Sequence, residues 1–201
     1  MTRDGAASAA SEATRRVFFA LWPDEAQRAA LMRATAKAVR ACGGRPVAAA
    51  NLHVTLCFVG SVPVMRVAEL GAVARQVATS RSTPAAPVTL DFQHLEHWAR
   101  PQLLCALAAA PESAQTPAAP DLARALCDAA QAAGFSPDLK PFRAHVTLAR
   151  KVVKAHAEDR IRPVRWEFTA FALIESRTLA AGPVYSVVES YALVEAQKVR
   201  T

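Results

Sequence analysis

No run of apolar residues in this chain approaches the roughly 18 needed to cross a bilayer, so no membrane association is expected. The opening MTRDGAASAASEATRR lacks an apolar central stretch and carries acids, which does not read as a secretory signal. We expect a loose polar tail over residues 1–14, a single bilobal domain over 15–201, a cytoplasmic location and a monomer. Cysteine is sparse, at Cys42, Cys57, Cys105 and Cys127, and no two form a C-x-x-C pair. Neither a thioredoxin-type site nor a zinc ribbon is indicated, and reduced, mostly buried thiols are expected. There is no H-E-x-x-H and no acidic cluster, so no metal or other cofactor is expected. An RRM signature, a KH-type GXXG loop and a zinc knuckle are also missing, which weakens a reading as a non-catalytic RNA-binding module.

Acids are the scarcer charged class: 17 Asp and Glu against 24 Lys and Arg, for a formal charge of +7. A basic surface raises the local concentration of anionic partners, nucleic acid among them, although many basic proteins bind none. Hydrophobic residues make up 52% of the chain, enough for a substantial core.

Strands and helices are predicted to mix without regular alternation, which favours an α+β fold over a doubly wound sheet. RRVFFALW (Arg15 to Trp22) reads as a strand, and Asp24 to about Ala41 as a helix ended by Gly43-Gly44. Leu52 to Val59 reads as a strand closed by Gly60, and Pro63 or Val64 to Ser80 as a helix. Strands are predicted at Val88 to Leu95 and Leu103 to Ala108, with a helix from Asp121 to Ala133. Val164 to Ser176 and Val184 to Glu195 read as two late strands, the second with Tyr185 and Tyr191 on one face.

The most informative feature is a repetition. LHVTLCFVG begins at Leu52 and AHVTLAR at Ala144, and His-Val-Thr-Leu occurs nowhere else. Alternation along a strand puts His53, Thr55 and Cys57 on one face, with Val54, Leu56 and Phe58 opposite. In the second copy His145, Thr147 and Ala149 share a face, and Val146 and Leu148 oppose them. The phase is the same, so the Val/Leu side should meet the core and the His/Thr side a cleft. A lone strand histidine is more often a structural residue than a catalyst. Two such strands in phase are harder to attribute to packing. Facing each other, they would offer two imidazoles for general acid and base work near neutral pH. The two hydroxyls could donate to phosphoryl oxygens as charge builds on them. That inventory suits a cyclic phosphodiester and requires no metal.

The paired motifs NLHVTLCFVG and FRAHVTLAR resemble those of the 2H phosphoesterase superfamily. From RRVFFALWP through GRPVAAANLHVTLCFVG to the last strand, the chain is similar to the bacterial RNA 2′,3′-cyclic phosphodiesterases, also called 2′-5′ RNA ligases. The resemblance implies a bilobal fold of two antiparallel sheets with flanking helices, pseudo-two-fold symmetry and a cleft between the lobes. It implies hydrolysis of RNA 2′,3′-cyclic phosphate ends, or of small nucleotides carrying a cyclic phosphate, to 2′-phosphomonoesters. By that likeness His53 is the proton donor and His145 the proton acceptor, Thr55 and Thr147 hold the phosphate, and Arg150 contacts the substrate. Relatives often carry Pro where Ala144 stands and an acid where Ala50 stands; neither change removes a reacting group. The same site would also serve 2′-5′ ligation or hydrolysis of another cyclic or 2′-5′ nucleotide.

Arg150 lies an odd number of positions from His145, so a regular strand would turn it away from the cleft, and a bulge or the strand's end would free it. Lys140, Arg143, Lys151 and Lys154 surround the same motif and suit either a nucleic-acid backbone or a solvated face. His94 and His97 are three apart on a strand and should point to opposite faces, which argues against a metal pair. Trp98 could stack on a base, and His156 reads as a surface residue. Phe18, Phe19, Phe58, Trp166 and Phe168 read as core.

Overall fold

Asp24 shows how local sequence sets the architecture. Its carboxylate accepts from the Gln27 backbone N–H at 2.7 Å, and the Gln27 side-chain oxygen accepts from the Asp24 N–H at 3.0 Å. This reciprocal cap starts helix α1 (Glu25–Ala41) and is worth about 1 kcal/mol. The Gln27 side-chain amide then donates to the Glu167 carbonyl, and the Trp166 indole N–H donates to the Gln27 carbonyl at 2.9 Å. Trp166 is fully buried, so its nitrogen needs that partner. Truncation to alanine there would cost about 3–5 kcal/mol.

The computed structural model describes residues 13–80, 87–109, 119–154, 160–179 and 182–193. Within them the strands are β1 (Thr14–Leu21), β2 (Arg45–Pro46), β3 (Val54–Pro63), β4 (Val88–Trp98), β5 (Leu103–Ala108), β6 (His145–Arg150), β7 (Arg160–Phe168), β8 (Ala170–Leu179) and β9 (Gly182–Ala192). The other helices are α2 (Val67–Ser80), entered through a 3-10 turn at Val64–Arg66, and α3 (Ala119–Ala132). The strands form two antiparallel sheets, ordered β3-β1-β8-β9 and β2-β6-β5-β4-β7. This is the α+β, two-sheet architecture expected. The halves correspond: β3 lies beside β1 and follows it through α1, and β6 lies beside β5 and follows it through α3.

The helices cross between halves. α1, which leaves the first sheet, packs on β7 of the second, and α3, which leaves the second, packs on β3 of the first. One continuous core therefore draws on both sheets, from Val17, Phe19 and Leu56 to Leu104, Val146 and Trp166. Two small apolar clusters lie outside it: one around Phe18, Ala20 and Ile174, the other around Leu103, Cys105 and Leu107.

Several predicted boundaries differ from this. Thr14 is already in β1, paired with Pro63, so the segment read as tail ends before it. Gly60 does not close β3; it pairs with Val17 at φ +89°, and the strand continues to Pro63. The stretch from Val164 to Ser176 is not one strand: the chain bends at Thr169, with β7 in the second sheet and β8 in the first. A periodicity of two is the same on either side of such a switch, so the pattern did not reveal it. The helix read from Asp121 starts two residues earlier, at Ala119, and Asp121 is an acid of its first turn, paired with Arg124 at 2.8 Å. β2 had no strand signal, being two residues long. His156 lies outside the described residues.

Candidate active site

β3 is an edge strand of the first sheet and approaches β6 of the second. Their facing sides, with β1, β2, β8 and β9, line a cavity of about 640 Å³. His53, Thr55, His145, Thr147 and Arg150 all line it, so the structure brings every sequence-predicted site residue to one place.

Both strands depart from regular alternation, and in the same way. Across β1, Phe19 pairs with Cys57 and Ala20 with Thr55, which leaves Leu56 unpaired in a bulge. Across β5, Leu104 pairs with Ala149 and Cys105 with Thr147, which leaves Leu148 unpaired. After each bulge the faces exchange. Cys57 and Ala149, expected on the cleft face, belong to the core. Phe58, expected in the core, lines the cavity, as does Arg150. A further irregularity at Val188 separates Tyr185 from Tyr191, which were expected on one face. Tyr185 lines the cavity, whereas Tyr191 stacks on Phe171 in the core.

The two imidazoles are held alike. His53 Nδ1 lies 2.6 Å from the Asn51 carbonyl oxygen, and His145 Nδ1 lies 2.7 Å from the Arg143 carbonyl oxygen. A carbonyl only accepts, so each Nδ1 carries a proton and donates it. Nε2 is left as the nitrogen available to the cavity. In neutral His53 it accepts from the Thr55 hydroxyl at 3.1 Å. Asn51 is fixed in turn, because its side-chain amide donates to the Pro183 carbonyl at 2.8 Å.

Aromatic rings confine both histidines. His53 stacks on Trp22 with centroids 5.7 Å apart, lies 4.9 Å from Phe18, and meets Tyr185 edge-on at 5.2 Å. Behind Trp22, the Arg28 guanidinium lies 4.8 Å from the ring centroid. His145 lies 4.6 Å from Trp98, whose other contacts include the Arg143 guanidinium at 5.7 Å. Arg143 is itself paired with Glu96. These rings flank the motifs in space and are remote from them in sequence, so the sequence reading gives Phe18 to the core and Trp98 to a base and assigns none of them to a histidine.

This packing makes the charged imidazoles unfavourable. The His53 pKa is pushed down to about 4, mainly by burial, with His145, Arg150 and Arg28 acting in the same direction against the Asn51 hydrogen bond. The His145 pKa is also lowered, mainly by burial, with the Arg143 charge adding to it and the Arg143 carbonyl opposing. An anion between the rings would reverse that balance.

The remaining candidates separate. Lys151 lines the cavity, whereas Lys140 pairs with Asp138 and Arg143 with Glu96. Arg45, which carried no sequence signal, lines the cavity as well. His94 and His97 join no group of three or more His, Cys, Asp or Glu suited to a metal ion among the described residues. Cys105 is the cross-strand partner of Thr147, and burial pushes its thiol up to about 12. Gly44 lets the β2 segment close on the end of β6, because a Cβ there would meet the Arg150 carbonyl oxygen at 2.8 Å and Val152 at 2.9 Å.

Two in-phase His-x-Thr strands meeting in one cavity between two antiparallel sheets define a 2H-type phosphoesterase. The model of the LigT-like phosphoesterases matches residues 21–102 and 110–185, and the chain belongs to that family. It is 29% identical over 191 residues to the RNA 2′,3′-cyclic phosphodiesterase of Thermus thermophilus, covering 89% of this chain and 90% of that one. The crystal structure of the Thermus thermophilus protein TT0787 superposes with a TM-score of 0.72 at 27% identity, over 89% of this chain and 97% of that one. That of E. coli LigT complexed with 3′-AMP gives a TM-score of 0.75 at 25% identity, over 91% and 100%.

Proposed function

We propose that this phosphoesterase hydrolyses RNA 2′,3′-cyclic phosphate ends to 2′-phosphomonoesters. The observation that carries the reading is the matched presentation of two Nε2 atoms to one cavity, each Nδ1 tied to a carbonyl two residues earlier. The family is one of phosphoesterases, and the activity named for the Thermus relative is the same.

The reaction breaks the bond from phosphorus to the 3′ oxygen and forms one from phosphorus to a water oxygen. His145, neutral with its Nε2 lone pair exposed, takes the proton from water. His53, charged, gives its Nε2 proton to the departing 3′ oxygen. Thr55 turns its hydroxyl from His53 to a non-bridging oxygen, and Thr147 donates to the same group. Arg150 adds a positive charge beside it. The bound phosphate raises the His53 pKa by placing an anion next to a ring otherwise surrounded by cations and aromatics. The ring environments agree with either assignment of acid and base; the likeness to the family supports His53 as the acid.

The experiment is turnover of a ribonucleotide 2′,3′-cyclic phosphate with the product isomer identified by phosphorus NMR. A 2′-phosphate is expected, and EDTA should leave the rate in place. A 3′-phosphate product would reverse which oxygen leaves. A rate abolished by chelation and restored by a divalent metal would overturn the two-histidine scheme.

A further inference from the structure

Among the described residues, four cations line the cavity: Arg16, Arg45, Arg150 and Lys151. No Asp or Glu is among the described residues lining it, and none of the four forms an ion pair with a described carboxylate. Arg45 and Arg150 are direct cross-strand partners. Side chains paired this way share a face with Cβ atoms about 5 Å apart, and like charges so placed repel. A cyclic phosphodiester carries one negative charge. Arg150, beside the histidines, matches it, and the other three cations exceed what that group requires.

Their placement is built into the fold. Arg45 lies on β2, a strand of two residues that extends the second sheet only as far as the end of β6. The close approach at Gly44 holds it there. Lys151 follows with φ +55°, a left-handed conformation that lysine seldom adopts. On the opposite wall Arg16, on β1, lies over the Phe58 ring at 4.8 Å.

We infer that Arg45, aided by Arg16 and Lys151, forms a second phosphate subsite that takes the phosphodiester immediately upstream of the terminal nucleotide, making the chain selective for oligonucleotide ends over cyclic mononucleotides. Cross-strand neighbours with long side chains reach two adjacent phosphates of one strand, and the bound polyanion removes the repulsion between Arg45 and Arg150. The inference rests on the proposed function.

The test compares a dinucleotide and a mononucleotide, each ending in a 2′,3′-cyclic phosphate, with the parent protein, Arg45→Gln and Arg45→Lys. In the parent, kcat/KM for the dinucleotide should exceed that for the mononucleotide by about tenfold or more, the value of a charge-assisted phosphate contact. R45Q should remove the preference while mononucleotide turnover changes by less than about twofold, and R45K should retain most of it. The salt dependence of dinucleotide binding should weaken by about 0.7 in log–log slope in R45Q. Equal turnover of the two substrates by the parent, or equal losses on both in R45Q, would overturn the subsite. Absence of turnover on both would overturn the proposed function instead. Calorimetric binding of the 2′-phosphate dinucleotide against 2′-AMP then decides the subsite independently, tighter dinucleotide binding lost in R45Q upholding it and equal binding refuting it.

Discussion

Leu56 and Leu148 are counterparts: each follows the threonine of its motif, and each is the unpaired residue of a bulge that exchanges the faces of its strand. Ala149 therefore faces the core although it keeps the same parity as His145. Ala149→Asp is expected to cost about 3–5 kcal/mol in urea denaturation, as an unpaired buried charge does. Arg150→Asp, one position on and exposed, should fold normally and lose activity. Tolerance of the aspartate at 149 would show that the strand runs regularly.

Replacing either histidine by alanine should lower kcat/KM by about 10²–10⁴. The double variant should be scarcely worse than the poorer single one, because groups that act as a unit are not additive. Steady-state kinetics on a cyclic mononucleotide reads this directly, and fully multiplicative losses would show that the rings act independently.

The acid limb follows from burial. The proposed scheme needs one charged and one neutral imidazole in the active free enzyme, and both pKa values lie below 6.5, that of His53 near 4. The kcat/KM profile should peak on the acid side of pH 6.5 and fall towards alkaline pH. The kcat profile should lie higher, since the bound anion favours imidazolium. A kcat/KM that climbs steadily from pH 7 to pH 9 would contradict this.

Stability should carry the same signature. The unfolded chain protonates His53 near 6.5 while the folded protein resists to about 4, so the unfolded state binds more protons in that window. Stability is complete above 6.5 and is lost as the pH falls from 6.5 towards 4. His53→Gln should lose less of its Tm across that range than the parent, as calorimetry at several pH values would show.

Gly44→Ala should cost about 1–3 kcal/mol and lower kcat/KM, because the added methyl group meets the Arg150 carbonyl oxygen and Val152. Normal activity in a destabilised variant would separate this contact from the placement of Arg150.

The legible part of the site was the part written in periodicity. His53, Thr55, His145 and Thr147 precede the bulges, so alternation by two placed them together. Cys57, Phe58 and Ala149 follow the bulges, where the rule inverts, and a bulge depends on pairing with β1 or β5 rather than on local composition. Arg150 was ambiguous for the same reason. Tyr185 comes to His53 from the last strand and Trp22 from just beyond the end of the first, through sheet order, which no local pattern encodes. The switch at Thr169 and the two-residue β2 were hidden because one preserves the strand signal and the other is too short to produce one.

The exchange of helices between the halves has a mechanical consequence. A clam-like enzyme closes about a hinge, and a hinge needs two bodies with separate interiors. Here each half is buttressed by a helix that grows out of the other, and prying the jaws apart would tear a shared interior. Adaptation to different guests must come from the guest's own torsions and from the few exposed side chains at the rim, which suits a supple chain end better than a rigid duplex.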